Sequence, residues 1–463
     1  MKYFGTDGIR GIFKDFETKF FYKIGFGISK YFGKGEYIIG RDTRPSGKII
    51  QKYIAQGIID SGGNVILVGI LPTPAVAFVT KKLNAKCGIM VSASHNPPQY
   101  NGIKIFNNLG TKPSEQVEQN IEDIIDSCFY KKTSQNQMDR KSKVSYIRNA
   151  KRLYQDYLIK SVDEKFEGIS IVLDCANGAA STVAKKIFER VGAKVVCCHD
   201  DTSGIINHNC GSMHPHNILN LCKVYNADIG FALDGDADRL IVATQEHMID
   251  GDTILYNLSR VIDTVGNVVV GTVLNNTALQ IQLQNHHKKL VRTPVGDKYI
   301  IERMLQDNYT LGGEQSGHYI IRPFADTGDG LLTALFFLKA VYNNKSNDIS
   351  NAKQNRDKIL SIQHIDLIPQ QAIALYATKD ILQNPILISL ITKWEYELSQ
   401  IKTNGRLIVR MSGTEPKIRV MCECINSEIV KQVLQEFEQC IIKITHIYSQ
   451  HKNNLESNDT KIF

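Results

Sequence analysis

The chain has 463 residues, a formal net charge of +8 and a hydrophobic fraction of 43%. This length predicts about three or four domains, at roughly 150 residues per domain. The charge is modest, and no dense run of Lys and Arg interleaved with aromatic residues occurs, which argues against a nucleic-acid-binding protein. The N-terminus lacks the apolar core of a signal peptide, and no apolar run reaches the roughly 18 residues of a membrane span. We therefore expect a cytoplasmic protein that does not bind a membrane.

The first 145 residues alternate short β-like runs with helical stretches. A buried strand and a polar loop are predicted by EYIIGRD, an amphipathic helix by SGKIIQKYIAQGIIDSGG, and a second strand by NVILVG. The next strand, CGIMV, runs into the loop SASHNP. A polar stretch from Tyr130 to Ser145 predicts a domain boundary.

The same alternation continues to the end of the chain. Strands are predicted by ISIVLD, by IGFALDGDADRLIVA, by NVVVGTV and by the C-terminal GRLIVRMSGTEPKIRVMCEC, with a polar linker from Asn343 to Asp357. This pattern predicts an α/β protein with largely parallel or mixed sheets. Three strands end in polar loops, namely in IMVSASHNPP, FALDGDADR and TLGGEQSGH. Because ligand sites form beyond the carboxyl ends of such strands, we expect these loops to meet at one cleft.

Ten cysteines are present, mostly in apolar stretches such as those around Cys87, Cys175 and Cys222. No CxxC pair occurs, so the sequence indicates neither a zinc site nor a redox pair. We predict reduced cysteines in the protein cores.

Asp234, Asp236 and Asp238 alternate in the DGDADR loop, where small residues leave room for a tight turn. Three carboxylates at this spacing repel one another unless a cation binds among them. The loop offers only oxygen ligands, which favours Mg²⁺ or Ca²⁺ over zinc. An EF-hand is excluded, because Arg239 and Gln245 stand where it needs Gly and Glu. A solvated acidic turn is the alternative.

Ser94 follows a predicted strand, in a loop that the next Asn-Pro-Pro stiffens. A serine hydroxyl is a weak nucleophile by itself, so it needs a base, a cation or prior phosphorylation. His95 and Lys104 lie close in sequence and would supply positive charge or proton transfer. The alternative is a turn with ordinary Ser and Asn chemistry.

Glu314, Ser316 and His318 alternate in GGEQSGH, so they share one face if the segment is extended. A carboxylate, a hydroxyl and an imidazole on one face suit hydrogen bonds to sugar hydroxyls. His318 would also serve as a general base near neutral pH. A Gly-rich strand end with a solvent-facing His is the alternative.

Ser412, Gly413 and Thr414 form a small-residue turn whose N–H groups and hydroxyls suit a phosphate. Arg410 and Arg419 would add charge-assisted hydrogen bonds to it. The alternative is a hairpin loop with two surface arginines. Further cations in predicted loops are Arg10, Arg41, Arg44 and Lys298, of which Arg10 is the best candidate for chemistry because glycines flank its turn.

Together the motifs GTDGIRG, SASHNP, DGDADR, GGEQSGH and RMSGTEPKIRV resemble, in this order, the α-D-phosphohexomutase family over nearly the whole chain. The N-terminal KYFGTDGIRG and Gln315 look most like bacterial members that interconvert glucosamine 6-phosphate and glucosamine 1-phosphate. Members that act on mannose or glucose phosphates are the alternative. A sugar-phosphate phosphatase and a non-catalytic sugar-phosphate binding protein are more remote.

The resemblance implies three similar mixed-sheet α/β domains and a smaller C-terminal α+β domain around a central cleft. We place their bounds at 1–145, 146–249, 250–350 and 351–463. Lys298 stands where the family more often has Arg, and Ala237 where it often has Gly. A homodimer stays open.

The resemblance also implies a role for each motif. Ser94 corresponds to a phosphoserine that completes one Mg²⁺ site per chain with Asp234, Asp236 and Asp238. The other residues implied to be catalytic are Arg10, His95, Lys104 and His318, with Lys104 and His318 transferring protons. Those implied to bind the hexosamine phosphate are Arg239, Lys298, Glu314, Ser316, Arg410, Ser412, Gly413, Thr414 and Arg419. A sugar 1,6-bisphosphate would serve as primer or intermediate.

Overall fold

The structure is a computed structural model that describes residues 2–5, 7–128, 143–342, 360–401, 405–412 and 416–459. The chain forms two compact units, one of residues 1–275 with 283–364 and the other of residues 276–282 with 365–463. Among the described residues, no helix is both long and apolar enough to cross a membrane. The predicted linker at 343–357 and most of the polar stretch at 130–145 lie outside the described residues.

The first sheet has six strands, β1 (Ile9–Ile12), β2 (Glu36–Arg41), β3 (Asn64–Ile70), β4 (Cys87–Val91), β5 (Tyr100–Asn107) and β6 (Val144–Tyr146). Their order is β1-β5-β4-β2-β3-β6, with β5 antiparallel to both of its neighbours and the remaining pairs parallel. The helices of this region are α1 (Thr18–Phe32), α2 (Ser46–Asp60), α3 (Thr73–Lys82) and α4 (Glu115–Ser127). Glycine lets α1 and α2 approach closely, because a Cβ at Gly57 would lie 2.1 Å from the carbonyl oxygen of Tyr22.

The second sheet has five strands, β7 (Ser170–Asp174), β8 (Lys194–Cys198), β9 (Ile229–Leu233), β10 (Leu240–Ala243) and β11 (Met248–Ile249). Their order is β11-β10-β9-β7-β8, with β9, β7 and β8 parallel. Its helices are α5 (Ala150–Val162), α6 (Ala184–Arg190) and α7 (Pro215–Val224). The sequence IGFALDGDADRLIVA was predicted as one strand, which is wrong. It forms the antiparallel pair β9 and β10, because the DGDADR segment turns the chain between them.

The third sheet has four strands, β12 (Val268–Thr272), β13 (Lys289–Thr293), β14 (Leu311–Gly313) and β15 (Tyr319–Ile321), in the order β13-β12-β14-β15. The nearby helices are α8 (Gly251–Ser259), α9 (Thr277–Asn285), α10 (Asp297–Gln306) and α11 (Gly330–Val341). Helix α11 is apolar on nearly every side, and it is buried along most of its length.

The second unit contains an antiparallel sheet of β16 (Gln370–Tyr376), β17 (Arg406–Met411) and β18 (Lys417–Glu423), in the order β16-β18-β17. Its helices are α12 (Pro385–Ser399) and α13 (Ser427–Asp459). Trp394 and Phe437 are buried with Val420 in the core between sheet and helices. The predicted α/β class with mixed sheets is therefore confirmed, while the four domain bounds stay predictions.

Candidate active site

Ser94 lies in the loop after β4 and is fully buried. Its Oγ donates to Asp234 Oδ2 at 2.6 Å and lies 3.3 Å from His95 Nδ1. The backbone φ of Ser94 is +50°, in the left-handed region that costs a non-glycine residue about 1–2 kcal/mol. The surrounding structure must therefore hold this serine in place.

Two side chains that the motifs did not assign to the site hold the Ser94 loop. The guanidinium of Arg44, which is fully buried, donates to the carbonyl oxygens of Ser94, Asn96, Pro97 and Tyr100 at 2.5–3.0 Å. Asn207 Nδ2 donates to the carbonyl oxygens of Ser94 and Asn96 at 2.7 and 2.9 Å. Arg44 was noted only as a cation in a loop, and nothing in the sequence near Asn207 indicated this contact.

The aspartate loop follows β9 and faces Ser94. Asp234, Asp236 and Asp238 are buried, and one carboxylate oxygen of each lies within 4.8 Å of the others. Thr73 donates to Asp236 twice, from its N–H to the carbonyl oxygen at 2.9 Å and from Oγ1 to Oδ2 at 2.5 Å. The loops approach closely because Gly235 has no side chain, since a Cβ there would lie 2.7 Å from the carbonyl oxygen of Ser94.

These residues fit a magnesium ion. The donors are all oxygens, and octahedral Mg²⁺ with bonds of about 2.1 Å brings its oxygens to about 3–4 Å from one another. Among the described residues, none forms a hydrogen bond with the buried Asp236 Oδ1, so this oxygen is available to a cation. The acidic triad can therefore hold a metal.

Lys104 lies against the same carboxylates. Its Nζ is 2.5 Å from Asp238 Oδ2, 2.9 Å from Asp236 Oδ2 and 3.1 Å from Asp7 Oδ2. Burial lowers the pKa of Lys104, but these carboxylates outweigh burial and hold it well above its usual value. Burial raises the pKa of Asp238, and Lys104 and His318 outweigh it, so that pKa lies well below the usual value. Asp234 differs, since burial and its two neighbouring aspartates raise its pKa well above the usual value.

Glu314, Ser316 and His318 converge, but not by alternation along a strand, so that prediction is wrong. The segment turns between β14 and β15, with Gly317 N donating to the carbonyl oxygen of Glu314 at 3.0 Å. The turn brings Ser316 Oγ to 2.5 Å and His318 Nδ1 to 3.2 Å from Glu314 Oε1. His318 Nε2 lies 3.0 Å from Asp238 Oδ1, which links this turn to the aspartate loop.

His318 is buried and charged in this arrangement. Burial lowers its pKa, but Asp238 and Glu314 outweigh burial and raise it to about 10. The pKa of His95 moves the other way, to about 3, because burial and then Arg239 and Arg10 disfavour its charged form. One imidazole at the site is therefore a cation and the other is neutral.

Arg10, Arg239 and Lys298 are the other residues of this unit that the resemblance implied as cations at the site. Arg10 is paired with Asp7 and donates to Asn96 Oδ1 at 3.2 Å. Arg239 pairs with His318 as an isolated β-bridge, and its backbone N–H donates to Asp234 Oδ1 at 3.2 Å. Lys298 lies 3.2 Å from Glu118 Oε2, in a crevice that Lys104, Lys112 and Asp7 also line.

The arginines predicted to bind phosphate lie in the second unit. Arg410 on β17 stands directly opposite Arg419 on β18, so both side chains occupy one face of the sheet. Ser412 N donates to the carbonyl oxygen of Lys417 at 2.7 Å and closes the base of the connecting loop. Gly413 and Thr414 lie outside the described residues. Two opposed guanidinium groups are suited to an anion.

The structure thus gathers a buried serine and three carboxylates, in loops at the carboxyl ends of β4 and β9, with cations from strands and loops of three sheets. A serine that attacks a carbonyl carbon needs a general base beside its hydroxyl. Ser94 instead donates its hydrogen bond to Asp234, one of the three carboxylates that can hold a metal. The arrangement suits a group whose several negative charges are neutralised together, as in phosphoryl transfer.

Comparison with known proteins supports this assignment. Family models described as phosphoglucomutase/phosphomannomutase match the alpha/beta/alpha domains I, II and III at residues 1–131, 145–247 and 250–357, and the C-terminal domain at residues 398–439. The phosphoglucosamine mutase of Clostridium kluyveri is 37% identical over 91% of this chain and 94% of its own. That of Thermodesulfovibrio yellowstonii is 37% identical over 95% of this chain and 98% of its own.

A solved structure shows the same fold. The phosphoglucomutase/phosphomannomutase family protein of Burkholderia thailandensis superposes with a TM-score of 0.72 at 22% identity, over 94% of this chain and 96% of that chain. The resemblance found in the motifs is confirmed. The chain therefore belongs to the phosphoglucomutase/phosphomannomutase family, the α-D-phosphohexomutases.

Proposed function

We propose that the protein is a phosphoglucosamine mutase that interconverts glucosamine 6-phosphate and glucosamine 1-phosphate through a phosphorylated Ser94. The position of Ser94 carries the proposal: its buried hydroxyl lies 2.6 Å from Asp234, at the edge of the aspartate loop. The choice of sugar rests on relatives named phosphoglucosamine mutase, which are 37% identical over nearly the whole chain.

Asp234, Asp236, Asp238 and an oxygen of the seryl phosphate would hold one Mg²⁺ per chain. When bound, Mg²⁺ supplies positive charge that neutralises the phosphoryl oxygens during transfer. The unpartnered Oδ1 of Asp236 and the all-oxygen donor set support this choice of ion.

The cycle begins with phosphorylated Ser94. The free hydroxyl oxygen of the sugar attacks phosphorus and loses its proton. The bond from phosphorus to Oγ breaks, and Oγ leaves with the electron pair and takes up a proton. The product is a sugar 1,6-bisphosphate. After this intermediate reorients, Oγ loses its proton and attacks the other phosphorus. The bond from that phosphorus to the sugar oxygen breaks, and the sugar oxygen leaves with the electron pair and takes up a proton.

Lys104 and His318 are the proposed proton-transfer residues. Both are charged in the arrangement described, because aspartates raise their pKa values. A cation bound among these aspartates would lower the pKa values of Lys104 and His318 again. One of these two groups could then lose its proton and act as a neutral base. Because the second phosphate returns by the reverse path, one group acts as base in one half of the cycle and as acid in the other.

The remaining predicted residues bind the substrate. Glu314 and Ser316 accept and donate hydrogen bonds to sugar hydroxyls, and His95 and Arg10 lie beside the Ser94 loop where a phosphoryl group would stand. Arg239 and Lys298 would also contact the hexosamine phosphate, and a sugar 1,6-bisphosphate would prime the enzyme. The proposed clamp for the phosphate that is not reacting consists of Arg410, Ser412, Gly413, Thr414 and Arg419.

A coupled mutase assay with Mg²⁺ and a sugar bisphosphate primer tests the proposal. Wild-type protein is expected to convert glucosamine 6-phosphate, and Ser94→Ala is expected to lose on the order of 10³-fold or more of the turnover. Ser61→Ala is the control, because Ser61 Oγ has no hydrogen-bond partner among the described residues. Mass spectrometry should find one phosphate on Ser94 and none on this residue in Ser94→Ala.

Parallel assays separate the alternatives. Faster turnover of mannose or glucose phosphates than of glucosamine phosphates would reassign the substrate within the family. Release of inorganic phosphate equal to the loss of substrate would indicate a phosphatase instead. An unphosphorylated Ser94 under all phosphorylating conditions would remove the phosphoserine from the mechanism.

A further inference from the structure

A second group of metal-ligating side chains lies at the carboxyl ends of β7 and β8, outside the site described above. Asp174 is the last residue of β7, His199 follows β8, and Cys210 lies eleven residues further along the chain. One ligand atom of each lies within 4.8 Å of the others. Asp174 and Cys210 are fully buried, and His199 is half-buried.

The imidazole of His199 points into this group. Its Nδ1 is buried and lies 3.1 Å from Asp174 Oδ1, close enough for an ion pair when the imidazole is protonated but outside strict hydrogen-bond geometry. The backbone is fixed, because His199 has φ +47° and its carbonyl oxygen accepts from Asn177 N at 2.5 Å. A neutral imidazole held in this way offers a ring nitrogen as a metal ligand beside the carboxylate of Asp174.

Asp174 is also held in a ligating orientation. Its Oδ1 accepts from Ala176 N at 2.9 Å, and its Oδ2 accepts from Gly211 N at 2.8 Å. Each carboxylate oxygen has a second lone pair that these bonds leave over. Cys210 completes the group, and its Sγ accepts a hydrogen bond from Asn177 Nδ2 at 3.9 Å.

We propose that Asp174, His199 and Cys210 bind a transition-metal ion of the Zn²⁺ class. A sulfur, a nitrogen and an oxygen donor suit Zn²⁺ or Co²⁺ and do not suit Mg²⁺, which prefers oxygen alone. Three protein ligands leave a fourth tetrahedral position for water. Binding at neutral pH displaces the proton of the Cys210 thiol to solvent.

This ion would stabilise the loop that helps to hold Ser94 in place. The carbonyl oxygen of Ala176 accepts from Asn207 N at 2.9 Å, and Asn207 Nδ2 donates to the carbonyl oxygen of Ser94 at 2.7 Å. The carbonyl oxygen of Asn177 accepts from Thr43 Oγ1 at 2.6 Å. The ion would therefore have a structural role, because it fixes a loop that contacts the Ser94 segment without touching the reacting atoms.

Cobalt binding tests the proposal without an activity readout. Full-length protein, stripped of metal and kept in a non-thiol reductant, is titrated with Co²⁺ while Mg²⁺ in excess fills the aspartate loop. One equivalent per chain is expected to give a sulfur-to-cobalt charge-transfer band. Zn²⁺ is expected to abolish this band by displacing Co²⁺.

Variants assign the ligands. Cys210→Ser is expected to lose the band. His199→Asn is expected to weaken Co²⁺ binding at least about tenfold, and asparagine tolerates the left-handed backbone at this position. Asp236→Asn and Cys440→Ser are expected to keep the band, since they alter the aspartate loop and a thiol of the second unit that is not among the proposed ligands. If Cys210→Ser does not fold, His199→Asn decides. No band in the wild type, a band that survives Cys210→Ser, or unchanged affinity in His199→Asn would overturn the proposal.

Discussion

Two loops follow the carboxyl ends of the neighbouring parallel strands β7 and β9, and they offer different donor atoms. Asp174 and Asp234 stand at the start of the loops, and each carboxylate accepts a backbone N–H from its own loop, from Ala176 in the first and from Arg239 in the second. Neighbouring strand ends therefore carry an all-oxygen site in one loop and a mixed-donor group in the other.

The difference lies in where the other ligands come from. The β9 loop supplies three carboxylates within five residues, so its spacing alone predicts a hard-cation site. The β7 loop supplies one carboxylate, and the fold adds His199 and Cys210 from distant positions. CxxC spacing therefore does not indicate this second group, because its ligands are adjacent in space and not in sequence.

Replacing one carboxylate in each loop by its amide is expected to give the largest difference. Asp236→Asn should lower mutase turnover at least about 10²-fold, because it removes a proposed Mg²⁺ ligand and a carboxylate that lies 2.9 Å from Lys104. Asp174→Asn should retain most of the turnover and the same dependence on Mg²⁺. Turnover is measured across a Mg²⁺ titration, with circular dichroism to verify folding. An equal loss in both folded variants would contradict the distinction between the loops.

The next largest effect is expected in stability. It concerns Arg44, which holds the Ser94 loop where that loop faces the aspartate loop. Arg44→Lys keeps the charge but loses the planar donors that reach four carbonyl oxygens, so it should lower the free energy of unfolding by about 2 kcal/mol. The matched control is Arg41→Lys, because Arg41 makes one hydrogen bond, to the carbonyl oxygen of Asp42. Denaturant titration measures both, and equal losses would refute the role of Arg44.

These cases show what the sequence could and could not predict. Ser94, the three aspartates and the Glu314 turn were found because their residue types are grouped within single loops. Strands were predicted where apolar runs end in polar loops. The DGDADR loop was predicted, but the antiparallel pairing of its flanks was not, because loop composition does not specify that the chain turns back beside itself. Thr73 gave no signal, since its partner Asp236 lies 163 residues away in sequence.

The alternation of Glu314, Ser316 and His318 shows the opposite failure. The three side chains do lie together, as predicted. They are brought together by a turn between β14 and β15 and not by the alternation of an extended segment. Residue type and spacing specify which atoms a loop offers. The direction of each side chain depends on backbone turns that contacts from other strands fix.

Asn207 connects the β7 loop to the Ser94 loop, and its loss should have a smaller effect on turnover. Asn207→Gly keeps a residue that tolerates the observed φ of +58° but removes the donor to the Ser94 and Asn96 carbonyls. We expect kcat to fall about tenfold with little change in KM, because the nucleophile is less well positioned. Asn209→Gly is the control, since Asn209 has φ +52° and is exposed. Equal effects of the two changes would indicate backbone strain instead of positioning.

Asp329 is another buried carboxylate, and within the described part of the chain no ion pair joins it to a cation. Asp329 caps α11 and accepts from Tyr154 Oη at 2.7 Å and from Leu332 N at 2.9 Å. Burial raises its pKa from 3.8 to about 6. Because the folded pKa is raised, the stability that the protonated group contributes is fully present below about pH 4 and is lost as pH rises through 6.

The stability difference between wild type and Asp329→Asn should therefore fall with rising pH between 4 and 6, by no more than about 1.4 kcal/mol per pH unit. Free energies of unfolding are measured at several pH values with Mg²⁺ in excess, so that the aspartate loop keeps a constant charge. Tyr154→Phe removes a hydrogen bond that lowers the pKa of Asp329, so it should move this window to higher pH. A difference that does not vary with pH would mean that Asp329 is ionised when buried, like Asp238 beside its cations. The contrast between carboxylates with and without a cation would then be lost.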